Sequence, residues 1–250
     1  MSRAKRKASS AGSAVGRKVA DILVVGVGGQ GVIMAAAIIA DTALLHGGLQ
    51  VKLIETHGMS QRGGGVQSQI RIGPKVVAPV ISPGEVDFLL AFEAAEGLRL
   101  APSLTADGVA VVNTRQIVPP LASYGDFAYP FDALERLRAQ GRNVLPVDGD
   151  AVAEEVGDVK VAGVVLVGAL STHLPFAVET WRQAIAKNVP ASWLEPNLAA
   201  FAAGRKVGDA ACAGKVAADA RTAGAAAENA EGGADKREGG ADKREGGLRA

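Results

Sequence analysis

The sequence predicts a three-layer α/β/α domain with a mostly parallel, mixed sheet, and two observations support that prediction. First, short apolar runs alternate with stretches of helical periodicity, beginning with the run 21–25 and the helical stretch 32–46. Second, hydrophobic residues make up 48% of the chain but aromatic residues only 4%. A core built from Ala, Val and Leu is typical of parallel strands that helices cover on both faces.

Local signals predict each element in turn. The alternating pattern of 66–72 indicates a strand with one polar face, whereas the continuous apolar runs indicate strands that are buried on both faces. The predicted strands are 21–25, 50–55, 66–72, 86–92, 108–113 and the edge strand 143–146. The predicted helices are 32–46, a stretch that ends near 100, 132–140, 150–156, and the closing pair 175–187 and 193–204, while 164–170 is predicted to be helical or buried.

Two polar tails flank the predicted domain of residues 20–207. Residues 1–19 are rich in Ser, Ala, Lys and Arg, and we expect them to be a disordered basic tail. Residues 208–250 are rich in Ala and Gly, and the segment 231–237 recurs as 238–244. Such a repeat offers little apolar surface to bury, so we expect a second disordered tail there.

Composition argues against several classes of protein. The net charge of +1 gives no reason to expect a nucleic-acid surface. The sequence has no run of 18 or more apolar residues, so it predicts no membrane span, and we expect a cytoplasmic protein. The single cysteine, Cys212, excludes an internal disulfide and a four-thiolate iron-sulfur cluster held by this chain alone. The three histidines lie far apart in the sequence and predict no metal site.

A glycine loop joins the first predicted strand to the first predicted helix. Its spacing, Gly-x-Gly-x-x-Gly, matches the dinucleotide fingerprint of Rossmann-like domains in the expected strand–loop–helix context. A carboxylate at the end of the next strand lies where such domains bind the ribose. The alternative is that the glycines only allow close packing of helix against strand. The predicted cofactor-binding residues are Gly26, Gly28, Gly29, Gln30 and Gly31 of the loop, together with Glu55.

A second glycine-rich loop follows the strand 50–55. Glycines flank polar and charged side chains, so the backbone can approach a ligand closely while the side chains bind it. Arg62 could pair with a phosphate or carboxylate, and His57 could donate a hydrogen bond or carry a proton. Because the two loops follow successive strands, we expect them to share one crevice. The predicted residues here are His57 and Arg62 as catalytic groups, and Ser60, Gln61, Gly63 and Gly64 as cofactor-binding groups.

The two loops together resemble a known family. The segments 26–31 and 57–64, followed by 166–170 and by the pattern Glu-x-Asn-x-x-Ala-Phe-x-x-Gly at 195–204, resemble the gamma-type domain of the 2-oxoacid:ferredoxin oxidoreductases, in particular the small subunit of indolepyruvate:ferredoxin oxidoreductase. The resemblance covers about residues 20–207. It implies a subunit that is inactive alone and that borders an active site shared with a large partner subunit.

The resemblance also implies the chemistry of the assembled enzyme. The large subunit would carry thiamine diphosphate, Mg²⁺ and the iron-sulfur clusters, and coenzyme A would be a co-substrate. The reaction would be oxidative decarboxylation of an aryl 2-oxoacid to an acyl-CoA, with electrons passed to ferredoxin. Two alternatives remain open from the residues alone. The chain could be a stand-alone NAD(P)-binding oxidoreductase, or a non-catalytic assembly module that uses the glycine loops as an interface.

Overall fold

The computed structural model describes residues 19–57, 64–119 and 128–213. The chain divides into two units after Gly208, and of the second unit only the helical residues 209–213 are described. The predicted tails therefore lie almost entirely outside the described residues. The strands are β1 (Ala20–Val27), β2 (Gln50–His57), β3 (Gly65–Gly73), β4 (Val86–Ala91), β5 (Leu104–Asn113) and β6 (Asn143–Val147).

Helices connect most of these strands and close the domain. They are α1 (Val32–His46), α2 (Ala94–Leu100), α3 (Ala133–Ala139), α4 (Gly149–Glu155), α5 (Ala162–Ser171), α6 (Val178–Asn188) and α7 (194–208 within the first unit). None of the helices in the described part of the chain is long and apolar enough to cross a membrane. The element order agrees with the one predicted from the sequence.

The six strands form one mixed sheet in the order β2-β3-β1-β4-β5-β6. Three neighbouring pairs, β1/β4, β4/β5 and β5/β6, are parallel. Only β3 runs against the others, and it pairs antiparallel with both β1 and β2. The predicted mixed and mostly parallel sheet is thus confirmed. One consequence is that β3 separates β1 from β2, although β2 directly follows β1 and α1 in the chain.

Helices cover the two faces of the sheet with separate apolar cores. Along β1, Ile22 and Val24 face the core that includes residues of α1, α5, α6 and α7. Leu23 and Val25 face the smaller core that includes residues of α2 and α3. This period of two is the expected geometry of a buried strand. The domain therefore has the predicted three layers.

Helix α5 is the buried centre of the larger layer. Every residue from Ala162 to Ser171 is buried, so the region predicted to be helical or buried is both. Beside it, Trp181 of α6 lies 5.9 Å from Phe201 of α7 and 6.1 Å from Phe176, measured between ring centroids. These aromatic contacts anchor the two closing helices to the core.

A polar contact ties α1 to α6. The Oδ1 atom of Asp41 lies 2.7 Å from Nζ of Lys187, and its Oδ2 accepts a hydrogen bond of 2.7 Å from Nδ2 of Asn188. Burial opposes ionisation of Asp41, but these two hydrogen bonds and the lysine charge together lower its pKa. The carboxylate is therefore ionised at neutral pH and links the two helices.

Candidate functional site

The glycine loop lies where the connections of the sheet change sides. Helix α1, which follows β1, packs in the larger core, whereas α2, which follows the neighbouring parallel strand β4, packs in the smaller one. The loops after β1 and β4 therefore diverge and leave a crevice at the carboxyl ends of the strands. In open α/β sheets this is the position where ligands bind.

The backbone of the glycine loop exposes the amino end of α1. Gly29 and Gly31 have φ angles of +98° and +86°, a left-handed conformation that favours glycine. Gly31 is the N-cap residue of α1 and, as a glycine, has no side chain of its own that could cap the helix. The first turn of α1 also has no acidic residue. The first N–H groups and the positive dipole end of such a helix favour an anionic or polar group nearby.

Gln30 fixes the glycine loop from the inside. Its Oε1 accepts a 2.6 Å hydrogen bond from the backbone N–H of Val27, and its Nε2 donates a 3.0 Å bond to the carbonyl of Phe92. Gly26 makes room for this contact, because a Cβ there would lie 2.8 Å from both Gln30 Oε1 and Phe92 Cβ. The side chain of Gln30 thus holds the loop against the end of β4. The role of Gln30 in cofactor binding stays a prediction.

The second loop meets the first at its last residue. The backbone N–H of Gly28 donates a 3.0 Å hydrogen bond to the carbonyl of Gly64, and Gly65 pairs with Val27. The expected proximity of the two loops is confirmed for this point. His57 ends β2, and nothing is described of its side chain. Ser60, Gln61, Arg62 and Gly63 lie outside the described residues, so their roles stay predictions.

Glu55 is not beside the glycine loop. It is exposed on the edge strand β2, opposite Ser68 of β3, and Ser68 in turn pairs with Val24 of β1. Two strand spacings, about 10 Å, therefore separate Glu55 from β1. The dinucleotide interpretation places this carboxylate on a strand next to β1, and here β3 occupies that place. The role of Glu55 stays a prediction, but its sequence spacing no longer supports it.

An apolar cleft of about 400 Å³ lies on the β3 side of the loop. Val27, Val32 and Val66 line it with the loop glycines, and Ile33 at its edge is 48% exposed. Exposed apolar side chains around a cleft are typical of surfaces that bind a partner or ligand.

A second, charged cleft of about 370 Å³ lies on the other side of the loop, toward β4 and β5. Its lining includes the cations Arg115 and Lys160 and the carboxylate of Asp150. Arg115 Nη1 lies 3.2 Å from Asp150 Oδ1, and Lys160 lies 5.3 Å from the ring centre of Trp193. We call this the charged cleft. With two cations and one carboxylate, it favours an anionic group.

The glycine loop was predicted, but the other residues that line the charged cleft were not predicted from the sequence. Asn113 ends β5, is buried, and accepts a 3.0 Å hydrogen bond from the backbone N–H of Gly149, which orders the start of α4. Arg115 follows two residues later. Their position just beyond a parallel strand was the available signal, because functional groups concentrate at the carboxyl ends of such strands.

The described residues contain no cluster of three or more His, Cys, Asp or Glu side chains that could hold a metal ion. Cys212, the single cysteine of the sequence, lies in the second unit.

The fold and the glycine loop define an α/β domain with a ligand crevice at the switch point of its sheet. Residues 21–207 match the family described as pyruvate ferredoxin/flavodoxin oxidoreductase. The chain belongs to this family. That result confirms the resemblance found from the two glycine loops.

Curated relatives and a solved structure agree. The chain is 40% identical to indolepyruvate oxidoreductase subunit IorB of Archaeoglobus fulgidus, across 74% of this chain and 92% of the relative. It is 35% identical to the subunit of the same name from Thermococcus kodakarensis, across 74% and 94%. The gamma subunit of a keto/oxoacid ferredoxin oxidoreductase from Geobacter sulfurreducens superposes with a TM-score of 0.58 at 24% identity, covering 76% of this chain and 99% of that one. At that identity, the structural likeness shows the fold alone.

Proposed function

We propose that this chain is the small subunit of a thiamine-dependent arylpyruvate:ferredoxin oxidoreductase. The observation that carries the proposal is the 40% identity to a IorB subunit across 92% of that subunit's length. The assembled enzyme would oxidatively decarboxylate an aryl 2-oxoacid such as indolepyruvate, form the acyl-CoA and pass electrons to ferredoxin. The large subunit would carry thiamine diphosphate, Mg²⁺ and the iron-sulfur clusters, in keeping with the single cysteine here.

The surface around the glycine loop supports a role at a shared site. On one side, the apolar cleft with the exposed Ile33 offers a surface for the large subunit. On the other side, the charged cleft offers Arg115 and Lys160 to an anionic substrate. Of the two small-molecule substrates of the proposed reaction, the 2-oxoacid and coenzyme A, coenzyme A carries the more negative charge. We therefore assign the charged cleft to its phosphate groups.

Purification of the chain with its large subunit tests this proposal. We expect the complex to reduce viologen with arylpyruvates only when coenzyme A is present, and to use 2-oxoglutarate poorly. Titration of the isolated chain with NAD⁺ and NADP⁺ tests the stand-alone oxidoreductase. The proposed function is wrong if the isolated, colourless chain binds NAD⁺ or NADP⁺ and if its mixture with the large subunit shows no coenzyme A-dependent activity.

The Arg62→Ala variant tests whether the second loop borders the active site. We expect turnover of the complex to fall while the midpoint of urea unfolding of the chain stays unchanged. Arg138→Ala, which removes an exposed cation from α3, is the matched control. Equal turnover in Arg62→Ala and Arg138→Ala would contradict the assignment of Arg62.

A further inference from the structure

Residues 92–94 connect the two walls of the charged cleft. The carbonyl of Phe92 accepts the 3.0 Å hydrogen bond from Gln30 Nε2, which belongs to the glycine loop. The backbone N–H of Ala94 donates a 3.1 Å bond to the carbonyl of Arg115, which belongs to the stretch after β5. The short turn between β4 and α2 is therefore bonded to both walls.

Glu93, between these two residues, adds a buried carboxylate to the junction. Its side chain is 1% exposed. Oε2 accepts a 2.8 Å hydrogen bond from the backbone N–H of Glu96, and Oε1 accepts a 3.3 Å bond from the backbone N–H of Ile117. The hydroxyl of Tyr129 also donates to Oε1. Donors from three separate segments thus meet on one carboxylate.

Tyr129 keeps its proton in this arrangement. Burial raises the pKa of its hydroxyl, and the hydrogen bond to Glu93 with the charge of that carboxylate raises it further. The hydroxyl is therefore a donor throughout the neutral range.

Helix capping explains only half of this geometry. A cap for α2 needs one acceptor, and Oε2 supplies it. Oε1 points instead to Ile117, which lines the charged cleft together with Arg115. Arg115 itself is exposed, and its backbone is held by the bond from Ala94. Oε1 of Glu93 holds the same stretch at Ile117, two residues after Arg115.

We propose that Glu93 is a positioning residue that holds the stretch 114–117, and with it Arg115, at the wall of the charged cleft. The carboxylate acts through this stretch and need not touch a substrate. The consequence for catalysis rests on the proposed function, because it requires an anionic substrate in the cleft. The consequence for the backbone does not depend on that function.

Backbone hydrogen exchange of the full chain tests the positioning directly. In Glu93→Gln one of the two oxygens becomes an NH2 group, which donates and cannot accept, so either Glu96 N–H at the position of Oε2 or Ile117 N–H at the position of Oε1 loses its acceptor. We expect the amides of 114–117 to exchange about tenfold faster, with β1 and β5 unchanged. Glu135→Gln, which removes an exposed carboxylate from α3, is the control. Tyr129→Phe leaves both backbone bonds but removes the hydroxyl that donates to Oε1, so we expect a smaller increase in exchange of the same amides. This variant keeps the test valid if Glu93→Gln does not fold.

Steady-state kinetics of the complex with the large subunit provide the second readout. In Glu93→Gln we expect the KM for coenzyme A to rise about tenfold, the usual effect of losing one charge-assisted hydrogen bond, with kcat and the KM for the arylpyruvate nearly unchanged. A variant that loses stability uniformly and shows no selective change in KM would make Glu93 a structural residue only. That result would overturn the proposal.

The two readouts separate this proposal from the proposed function. If the wild-type complex does not oxidise arylpyruvates, the proposed function fails, and the exchange experiment still decides whether Glu93 holds the stretch 114–117. If exchange of these amides is the same in wild type, Glu93→Gln and Tyr129→Phe, the positioning role is wrong whatever the activity.

Discussion

The side chain of Gln30 fixes the conformation of the glycine loop, which the glycines alone do not do. Glycines allow a tight loop, but they also leave the unfolded chain much conformational freedom. The amide of Gln30 compensates for this, because it accepts from Val27 and donates to Phe92 at the same time. A carboxylate could only accept and a hydroxyl is too short, so an amide of this length suits the position.

At this scale we predict that Gln30→Ala lowers the free energy of unfolding by about 1–3 kcal/mol, because the N–H of Val27 loses its acceptor. Urea unfolding followed by circular dichroism measures the change. Gln116→Ala removes an exposed amide that bonds the carbonyl of Phe131, and we expect a loss of at most about 0.5 kcal/mol there. Similar losses in both variants would refute the special role of Gln30.

Two glycines explain how the closing helix α7 reaches the core. At Gly168 of α5, a Cβ would overlap the carbonyl of Phe201 and lie 3.0 Å from the backbone nitrogen of Arg205. At Gly204 of α7, a Cβ would overlap the carbonyl of Val165 and lie 3.0 Å from its Cα. The backbones of α5 and α7 are thus in direct contact, and no side chain separates them at this crossing.

For these elements we predict that Gly204→Ala destabilises the domain by about 1–3 kcal/mol, because the helices must move apart. This loss occurs although alanine favours a helix by about 1 kcal/mol over glycine. Ala202→Ser, on the exposed side of α7, should change stability by less than about 0.5 kcal/mol. Thermal unfolding of both variants checks the prediction, and a Gly204→Ala variant as stable as wild type would contradict it.

At the scale of the whole molecule, the described strands and apolar cores lie in the first of the two units, which ends at Gly208. The family match ends at residue 207, and the compact unit ends at Gly208. All six strands and the two apolar cores lie within this unit. Stability and partner binding should therefore belong to this part of the chain.

We accordingly predict that a shortened chain of residues 19–213 keeps the free energy of unfolding of the full chain within about 1 kcal/mol. It should also co-purify with the large subunit and support the same turnover. Guanidinium unfolding and the viologen assay measure the two properties. Loss of co-purification would show that residues 1–18 or 214–250 contribute to assembly.

The sequence predicted the individual strands and helices better than the order of the strands in the sheet. Apolar periodicity is local, so strand β1 and helix α1 were found almost at their observed bounds. The insertion of β3 between β1 and β2 was not predicted, because strand order depends on contacts between distant segments. That insertion also removes Glu55 from the neighbourhood of the glycine loop.

The position of the glycine loop could be predicted because its backbone geometry dictates the residue type, whereas cofactor binding by its glycines stays a prediction. The glycines of the loop were found because few other residues tolerate that conformation. Glu93 was missed, because glutamate is not a preferred N-cap residue and its partners Ile117 and Tyr129 are distant in sequence. A buried carboxylate of this kind becomes visible only when the folded chain brings its donors together.

The two hydrogen bonds of Gln30 have a further consequence for the rate and affinity of the proposed assembly with the large subunit. A loop that is already held in one shape has little conformational entropy left to lose when a partner covers it. Association can then proceed as the docking of preformed surfaces, and the rate should depend on diffusion and orientation more than on loop ordering. The amide that we expect to stabilise the isolated domain would thereby also prepare the surface that we propose binds the large subunit.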